Sequence, residues 1–231
     1  MTKFNTDRIA LALATRNLDK VREITLKLDS LSTPLSIHSL ADLERQGFKL
    51  PDVEETEPSL EGNALKKARE IFHALQAQGL SNLLVLSDDT GLEVEALGGK
   101  PGVYSARYAA AEVGRQPTYS ENVAKLLCDM QNIRQRQAVF RTVMALVGVF
   151  HLANQYRSPY FERIFEGKIL GVITTAPRGE SGFGYDPVFE VPLLAKTFAE
   201  LSIDEKNRIS HRALALERVQ QHLQTLFSQA Y

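Results

Sequence analysis

Residues 59–78 carry Leu60, Ala64, Leu65, Ala68, Ile71, Phe72 and Leu75 on one helical stripe, and a wholly apolar run at residues 83–86 follows directly. The stripe has the spacing of an amphipathic helix, with Ser59 as its N-cap and Gly79 as its stop. The apolar run has the composition of a strand buried on both faces. A chain that sets such a helix beside such a strand must pack helices on a sheet. The pairing has already occurred once: residues 8–14 read as a buried strand, and residues 17–28 as a helix with Val21, Ile24, Leu26 and Leu28 supplying apolar contacts. Residues 35–40 predict a second strand. Leu92, Val94 and Ala96 alternate with Glu93 and Glu95, so a half-buried strand resumes after a turn at 87–91. Thr118 and Glu121 form a capping box ahead of a helix with Val123, Leu126, Leu127 and Met130. Residues 138–150 and 160–173 are long strand candidates joined by a polar turn around 154–159. Ser210 caps a last helix faced with Leu214, Leu216, Val219, Leu223 and Phe227. Helices and strands mix throughout, which predicts an α/β fold with a mixed sheet.

No repeat, low-complexity tract or linker divides the 231 residues, so one domain over 1–231 is expected. The formal net charge of -1 removes any global attraction to nucleic acid or anionic lipid, and positive potential must be local. Cys128 is the only cysteine, which excludes an intrachain disulfide. Its neighbours Leu126, Leu127 and Met130 make it read as a small core residue. The apolar run at 9–14 is too short for a signal sequence or a membrane span, and no later run is long enough, so a cytoplasmic protein is expected.

Four polar blocks punctuate these elements: residues 15–20 (TRNLDK), 87–91 (SDDTG), 182–187 (GFGYDP) and 205–212 (EKNRISHR). The first follows a strand and opens a helix, where free N–H groups and the helix dipole favour an anion. Thr15, Asn17 and Lys20 are its phosphate-binding candidates, although an N-capped surface helix would use the same residue types. It is not a P-loop, because the glycine pattern of that motif is missing. Asp88 and Asp89 are the metal candidates. Adjacent strand residues point to opposite faces, so only one is expected to reach a cation directly. A second carboxylate would come from the acidic run at 52–57. In the third block, glycines allow close backbone approach, Phe183 or Tyr185 would stack on a purine, and Asp186 would accept from ring nitrogens. His211 and Arg212 stand in a first helical turn, where cations are disfavoured unless something negative or oxygen-rich lies nearby.

Taken together and in this order, the blocks resemble the inosine triphosphate pyrophosphatase family. The family's strand-following Thr-Gly-Asn-x-x-Lys corresponds to Thr15–Lys20, with Arg16 in place of glycine. Its long Asp-Asp-Ser-Gly-Leu block is matched from Asp88 to Arg107 with Thr90 for serine, its Gly-Phe-Gly-Tyr-Asp-Pro block from Gly182, and its Ser-His-Arg block at the end of 205–212. The resemblance implies an elongated two-lobed fold with a central mixed sheet and an active-site cleft between the lobes, and a homodimer. It implies Mg²⁺ as cofactor, held by Asp89 and by an acidic residue before the second helix. Glu54 is the choice for that residue, with Glu55 close behind. Asp89 would also be the general base. Substrate contacts would fall on Thr15, Arg16, Asn17, Leu18, Asp19, Lys20, Thr90 and Lys206 for phosphates and sugar. Phe183, Gly184, Tyr185, Asp186, His211 and Arg212 would take the purine.

The implied reaction cleaves a nonstandard purine nucleoside triphosphate (ITP, dITP or XTP) to the monophosphate and pyrophosphate, with no nucleic-acid or membrane partner. Rival readings are a noncatalytic nucleotide-binding module, a haloacid-dehalogenase-type phosphatase and a Maf-like pyrophosphatase. The second wants Asp-x-Asp, which Asp88-Asp89-Thr90 lacks. The aromatic glycine block and the Ser-His-Arg block argue against the third.

Overall fold

The computed structural model describes residues 8–28, 35–152 and 157–228. In chain order the elements are β1 (Ile9–Leu13), α1 (Leu18–Leu28), β2 (Leu35–Ser39), α2 (Leu40–Arg45), α3 (Leu60–Ala77), β3 (Leu83–Val94), β4 (Pro101–Gly102), α4 (Ala110–Val113), α5 (Tyr119–Asp129), β5 (Gln137–Val149), β6 (Phe161–Ile173), β7 (Phe189–Val191), β8 (Lys196–Thr197), α6 (Ile203–Ile209) and α7 (His211–Ser228). The strands join in the order β2-β1-β3-β5-β6-β7-β8, with β4 against β3. β1 runs parallel to β2 and β3, whereas the β3–β4, β6–β7 and β7–β8 pairs are antiparallel. This is the mixed α/β sheet that the alternation of patterns predicts. The chain clusters into two compact units, residues 1–89, 143–166 and 215–231 in one and 90–142 and 167–214 in the other.

In the first unit every residue of β1 is buried, as its unbroken apolar run requires. Ile9, Leu11 and Leu13 pack with Leu84 and Leu86 of β3, Met144 and Leu146 of β5, Ile24 and Leu28 of α1, and Leu216, Val219, Leu223 and Phe227 of α7. Ser59 caps α3 through Gly62 N–H, and Gly79 follows the helix at a positive φ of 97°. Leu26, expected to pack, is 54% exposed. It lies two residues from both Ile24 and Leu28, about 200° around the helix, so it cannot share their face.

In the second unit Leu92 and Val94 of β3, Val123 and Leu126 of α5, Phe140, Phe189 and Phe198 build the core. Phe189 lies with ring centroids 4.9 Å from Phe140 and 5.1 Å from Phe198. The capping box of Thr118 and Glu121 opens α5 as predicted. Cys128 is exposed, not in the core. The buried stripe of α5 runs through Val123 and Leu126 to Met130, and residue 128 falls on the far side.

The expected turn at 87–91 is also corrected: β3 continues unbroken from Leu83 to Val94. Its turn-forming residue types find partners that let the strand proceed. Ser87 Oγ donates to the Ala64 carbonyl at 2.6 Å, and the Thr90 and Thr142 hydroxyls lie 2.7 Å apart. Part of the turn expected at 154–159 lies outside the described residues.

Candidate active site

The first unit places two of the polar blocks at one end of the sheet. The parallel register pairs Leu13 with Leu86, and Ala14 N–H donates to the Leu86 carbonyl at 2.8 Å. The chain that leaves β1 at Thr15 therefore runs beside Ser87 and Asp88. Carboxyl ends of parallel strands are where open α/β sheets bind ligands. Asn17 closes the loop by capping α1: its side-chain oxygen accepts from Asp19 N–H at 2.9 Å and Lys20 N–H at 3.3 Å. Thr15 Oγ1 accepts from Asn17 N–H at 3.2 Å. That geometry orients Lys20, whose ammonium stands 3.0 Å from Asp88 Oδ2. Leu18 and Asp19 are exposed.

Arg16 does not strain the loop. It lies outside the positive-φ region that would call for glycine, and its guanidinium meets the Glu44 carboxylate at 2.8 and 3.2 Å. The Glu44 hydrogen bonds hold its pKa above the ordinary value.

Asp89 is buried and lies at the centre of a second charge cluster. Asn63 of α3, fully buried, donates to Asp89 Oδ2 at 3.2 Å and accepts from Glu57 N–H at 2.9 Å. Lys67, one turn further along α3, lies 3.7 Å from Asp89 Oδ1 and hydrogen-bonds Glu55. Burial pushes the Asp89 carboxyl above the usual carboxylate range, Lys67 opposes that, and Glu55 adds to it. Burial would lower the Lys67 ammonium, but the Asp89 and Glu55 carboxylates outweigh it and leave the pKa raised. Glu55 thus shares a cation with Asp89, whereas Glu54 is exposed and meets Lys66 through its backbone carbonyl at 2.8 Å. The structure brings the alternate carboxylate, not the first choice, to Asp89.

The donor set suits a hard divalent cation. No group of three or more histidine, cysteine or acidic side chains is assembled to hold a metal among the described residues. Mg²⁺ needs only one or two carboxylates when phosphate oxygens and water complete its shell, and Asp89 with Glu55 meets that requirement.

The second unit holds the remaining candidates. Asp186 is buried and accepts from Phe183 N–H at 2.8 Å and from Lys206 Nζ at 2.7 Å. These bonds tie the aromatic loop to α6, which carries Lys206. Gly182 has φ of 79°, and a Cβ there would lie 2.1 Å from Asp186 Oδ2, so only glycine fits. Tyr185 is buried and donates from its hydroxyl to the Ser105 carbonyl at 2.9 Å, which makes it a brace. Burial raises its phenol pKa. Phe183 is half-buried, with Lys206 Nζ 4.9 Å and the Arg212 guanidinium 5.4 Å from its ring centroid.

Ser210 ends α6 and caps α7, accepting from Ala213 N–H at 3.2 Å. It thereby sets His211 and Arg212 into a buried first turn, 3% and 2% exposed. The His211 ring stacks flat on Phe140 at 4.4 Å, and Arg212 Nη2 donates to Thr90 Oγ1 at 3.3 Å.

A profile of the Ham1 family matches residues 11–222. The chain belongs to the Ham1 family. It is 51% identical over 208 residues to the dITP/XTP pyrophosphatase of Chlorobaculum tepidum, covering 90% of this chain and 89% of that protein. Against the dITP/XTP pyrophosphatase of Thermoanaerobacter sp. strain X514 it is 42% identical, covering 92% and 96%. The HAM1 protein of Coxiella burnetii superposes with a TM-score of 0.76 at 35% identity, covering 94% of this chain and 99% of that one. The Staphylococcus aureus Ham1 protein gives 0.75 at 34%, covering 94% and 98%.

Within this Ham1 chain, sequence reading passed over Asn63 and Lys67. Their signal was present: Asn63 interrupts the apolar stripe beside Ala64, and Lys67 stands next to Ala68. A polar residue on a core-facing stripe asks for a buried partner, and Asp89 is that partner.

Proposed function

We propose that this chain hydrolyses nonstandard purine nucleoside triphosphates (ITP, dITP and XTP) to the monophosphate and pyrophosphate, acting as one catalytic domain over residues 1–231. The observation that carries the reading is the alternation of Glu55, Lys67 and Asp89 next to the Lys20–Asp88 pair. It is a centre that can hold a cation and phosphates together, in a chain whose relatives are dITP/XTP pyrophosphatases.

In this reading Asp89 accepts a proton from the water that attacks the α-phosphorus. The α–β bridging oxygen departs with pyrophosphate. Asn63 and Lys67 hold Asp89 in place, and the ammonium groups of Lys20 and Lys67 take up phosphate charge as it develops. Mg²⁺ held by Asp89, Glu55 and substrate oxygens would neutralise the leaving group. Asn17 and Thr15 already take the Asn17, Asp19 and Lys20 N–H groups, so the Thr15 hydroxyl and the Lys20 ammonium, at the positive end of the α1 dipole, are the groups of this loop assigned to phosphate; Thr90 and Lys206 are assigned to phosphate and sugar.

Phe183 stacks on the purine, with His211, Arg212 and the backbone at Gly184 closing its pocket. Asp186 and Tyr185 serve by fixing the loop. Hypoxanthine and xanthine carry an acceptor oxygen at C6, where adenine carries a donor amine. Donors from Arg212 or backbone N–H groups would leave ATP with a buried donor facing a donor, a mismatch able to discriminate by ~10⁴-fold.

The proposed substrate is a free nucleotide, and a net charge of -1 gives no global attraction to nucleic acid. No described helix is long and apolar enough to cross a membrane. A cytoplasmic homodimer is the expected form, and sedimentation would check the dimer. The deciding experiment incubates the protein with Mg²⁺ and ITP or ATP and identifies the products. IMP and pyrophosphate from ITP, with ATP largely intact, is the expected result. Orthophosphate release would instead assign a phosphatase. An Asp89→Asn variant that retained full function would assign a binding module.

A further inference from the structure

Tyr119 is the first residue of α5, is 46% exposed, and has its ring centroid 5.8 Å from that of Phe183 at an interplanar angle of 39°. None of the four polar blocks contains it. Its position is fixed from several directions. Thr118 Oγ1 accepts from Glu121 N–H at 3.2 Å, and Glu121 Oε2 accepts from Thr118 N–H at 2.7 Å, which sets the first turn of α5. Arg115 meets the same Glu121 at 2.7 Å. One turn into α5, the fully buried Asn122 accepts from Ala109 N–H at 2.9 Å and donates to the Ala106 carbonyl at 3.1 Å. The segment that Asn122 grips, Ala106 to Ala109, directly follows Ser105, whose carbonyl receives the Tyr185 hydroxyl. α5 and the aromatic loop are thus pinned to one stretch of backbone, and the Tyr119–Phe183 separation is held by buried hydrogen bonds.

A half-exposed tyrosine held beside a half-buried phenylalanine at 39° makes an angled aromatic surface wider than one ring, so that a base stacked on Phe183 meets Tyr119 obliquely at its edge. Lys206 and Arg212 lie over the Phe183 ring, so that ring already sits in an electropositive setting, whereas Tyr119 adds apolar area without charge. We propose that Tyr119 is a further base-binding residue, extending the Phe183 platform so that the two fused rings of a purine are supported where the single ring of a pyrimidine reaches Phe183 alone. This rests on the assignment of Phe183 to the base site. Tyr119 would then add selection for the size of the base to the selection at C6.

The test is calorimetric binding of inosine 5′-monophosphate and uridine 5′-monophosphate, which requires no turnover. Tyr119→Ala is expected to weaken inosine monophosphate by about tenfold and uridine monophosphate by less than about twofold, because base–aromatic stacking on one ring is the interaction removed. Tyr119→Phe keeps the ring and should bind both as the parent protein does. The chain has no tryptophan, so tyrosine fluorescence is visible, and the part quenched by inosine monophosphate should vanish in Tyr119→Phe. Unchanged affinity in Tyr119→Ala, or an equal loss for both nucleotides, would overturn the proposal. Phe183→Ala separates the two assignments. If it weakens inosine monophosphate while Tyr119→Ala does not, only the role of Tyr119 fails; if it too leaves binding unchanged, the base site itself is misplaced.

Discussion

Lys20 Nζ stands 3.0 Å from Asp88 Oδ2, and the Asp88 side chain is wholly buried. A carboxylate so placed needs a cation, because desolvating a lone charge costs several kcal/mol. Lys20→Met should therefore destabilise the fold by about 3 kcal/mol in urea unfolding, more than a surface lysine would. Adding Asp88→Asn should recover much of the loss, since the buried charge goes with it. A Lys20→Met variant as stable as the parent would show that Asp88 does not depend on this pair.

Glu55 and Glu54 separate a carboxylate in the centre from one outside it. Glu55→Gln should raise the Mg²⁺ concentration for half-maximal turnover by about tenfold. Glu54→Gln should change it by less than about twofold, as exposed substitutions usually do. Mn²⁺ binding followed by electron paramagnetic resonance should rank the two variants the same way without substrate. The reverse ranking would return the second metal ligand to Glu54.

Gly182 and Gly184 share a positive φ but differ in space. Alanine at 182 would put its Cβ 2.1 Å from Asp186 Oδ2, the atom that accepts from Phe183 N–H and Lys206. Gly182→Ala should cost at least about 2 kcal/mol and weaken inosine monophosphate. At 184, with φ of 63° and open space, alanine should cost about 1 kcal/mol from backbone strain alone. Thermal unfolding of the two variants compares these directly.

Arg69 of α3 binds Glu162 of β6 through two hydrogen bonds, 2.8 and 2.6 Å. They hold the Glu162 carboxyl down to about 2, against burial that would raise it. A depressed carboxylate adds stability above its unfolded pKa, and that stability is lost as pH falls through the folded value. The parent should therefore lose stability between roughly pH 4.5 and pH 2. Arg69→Met should be less stable at pH 7 and show a shallower decline over that window. Parallel stability curves would remove Glu162 from the acid response.

Much of this was legible in the chain because short-range physics writes it there. The helix at 59–78, the buried strands at 8–14 and 83–86 and the caps at Ser59, Thr118 and Ser210 follow from periodicity and local hydrogen bonding. Those forces act within a few residues. The polar blocks stood out because each breaks an apolar pattern. What sequence could not decide was which polar groups meet. Glu55 and Glu54 are neighbours of the same chemistry, and only the path of the chain in front of α3 gives Lys67 to one of them. Asp186 and Tyr185 read as ligands for a base, and only the tertiary structure shows the distant partners that hold them, Lys206 and Ser105, 20 and 80 residues away. Ser87 to Thr90 read as a turn until Ala64 and Thr142 supplied partners that let the strand continue. Local pattern determines the elements, because backbone geometry and side-chain spacing are local. Partnership between buried charges is decided by the tertiary fold, because it depends on distances that the packing of the core alone sets.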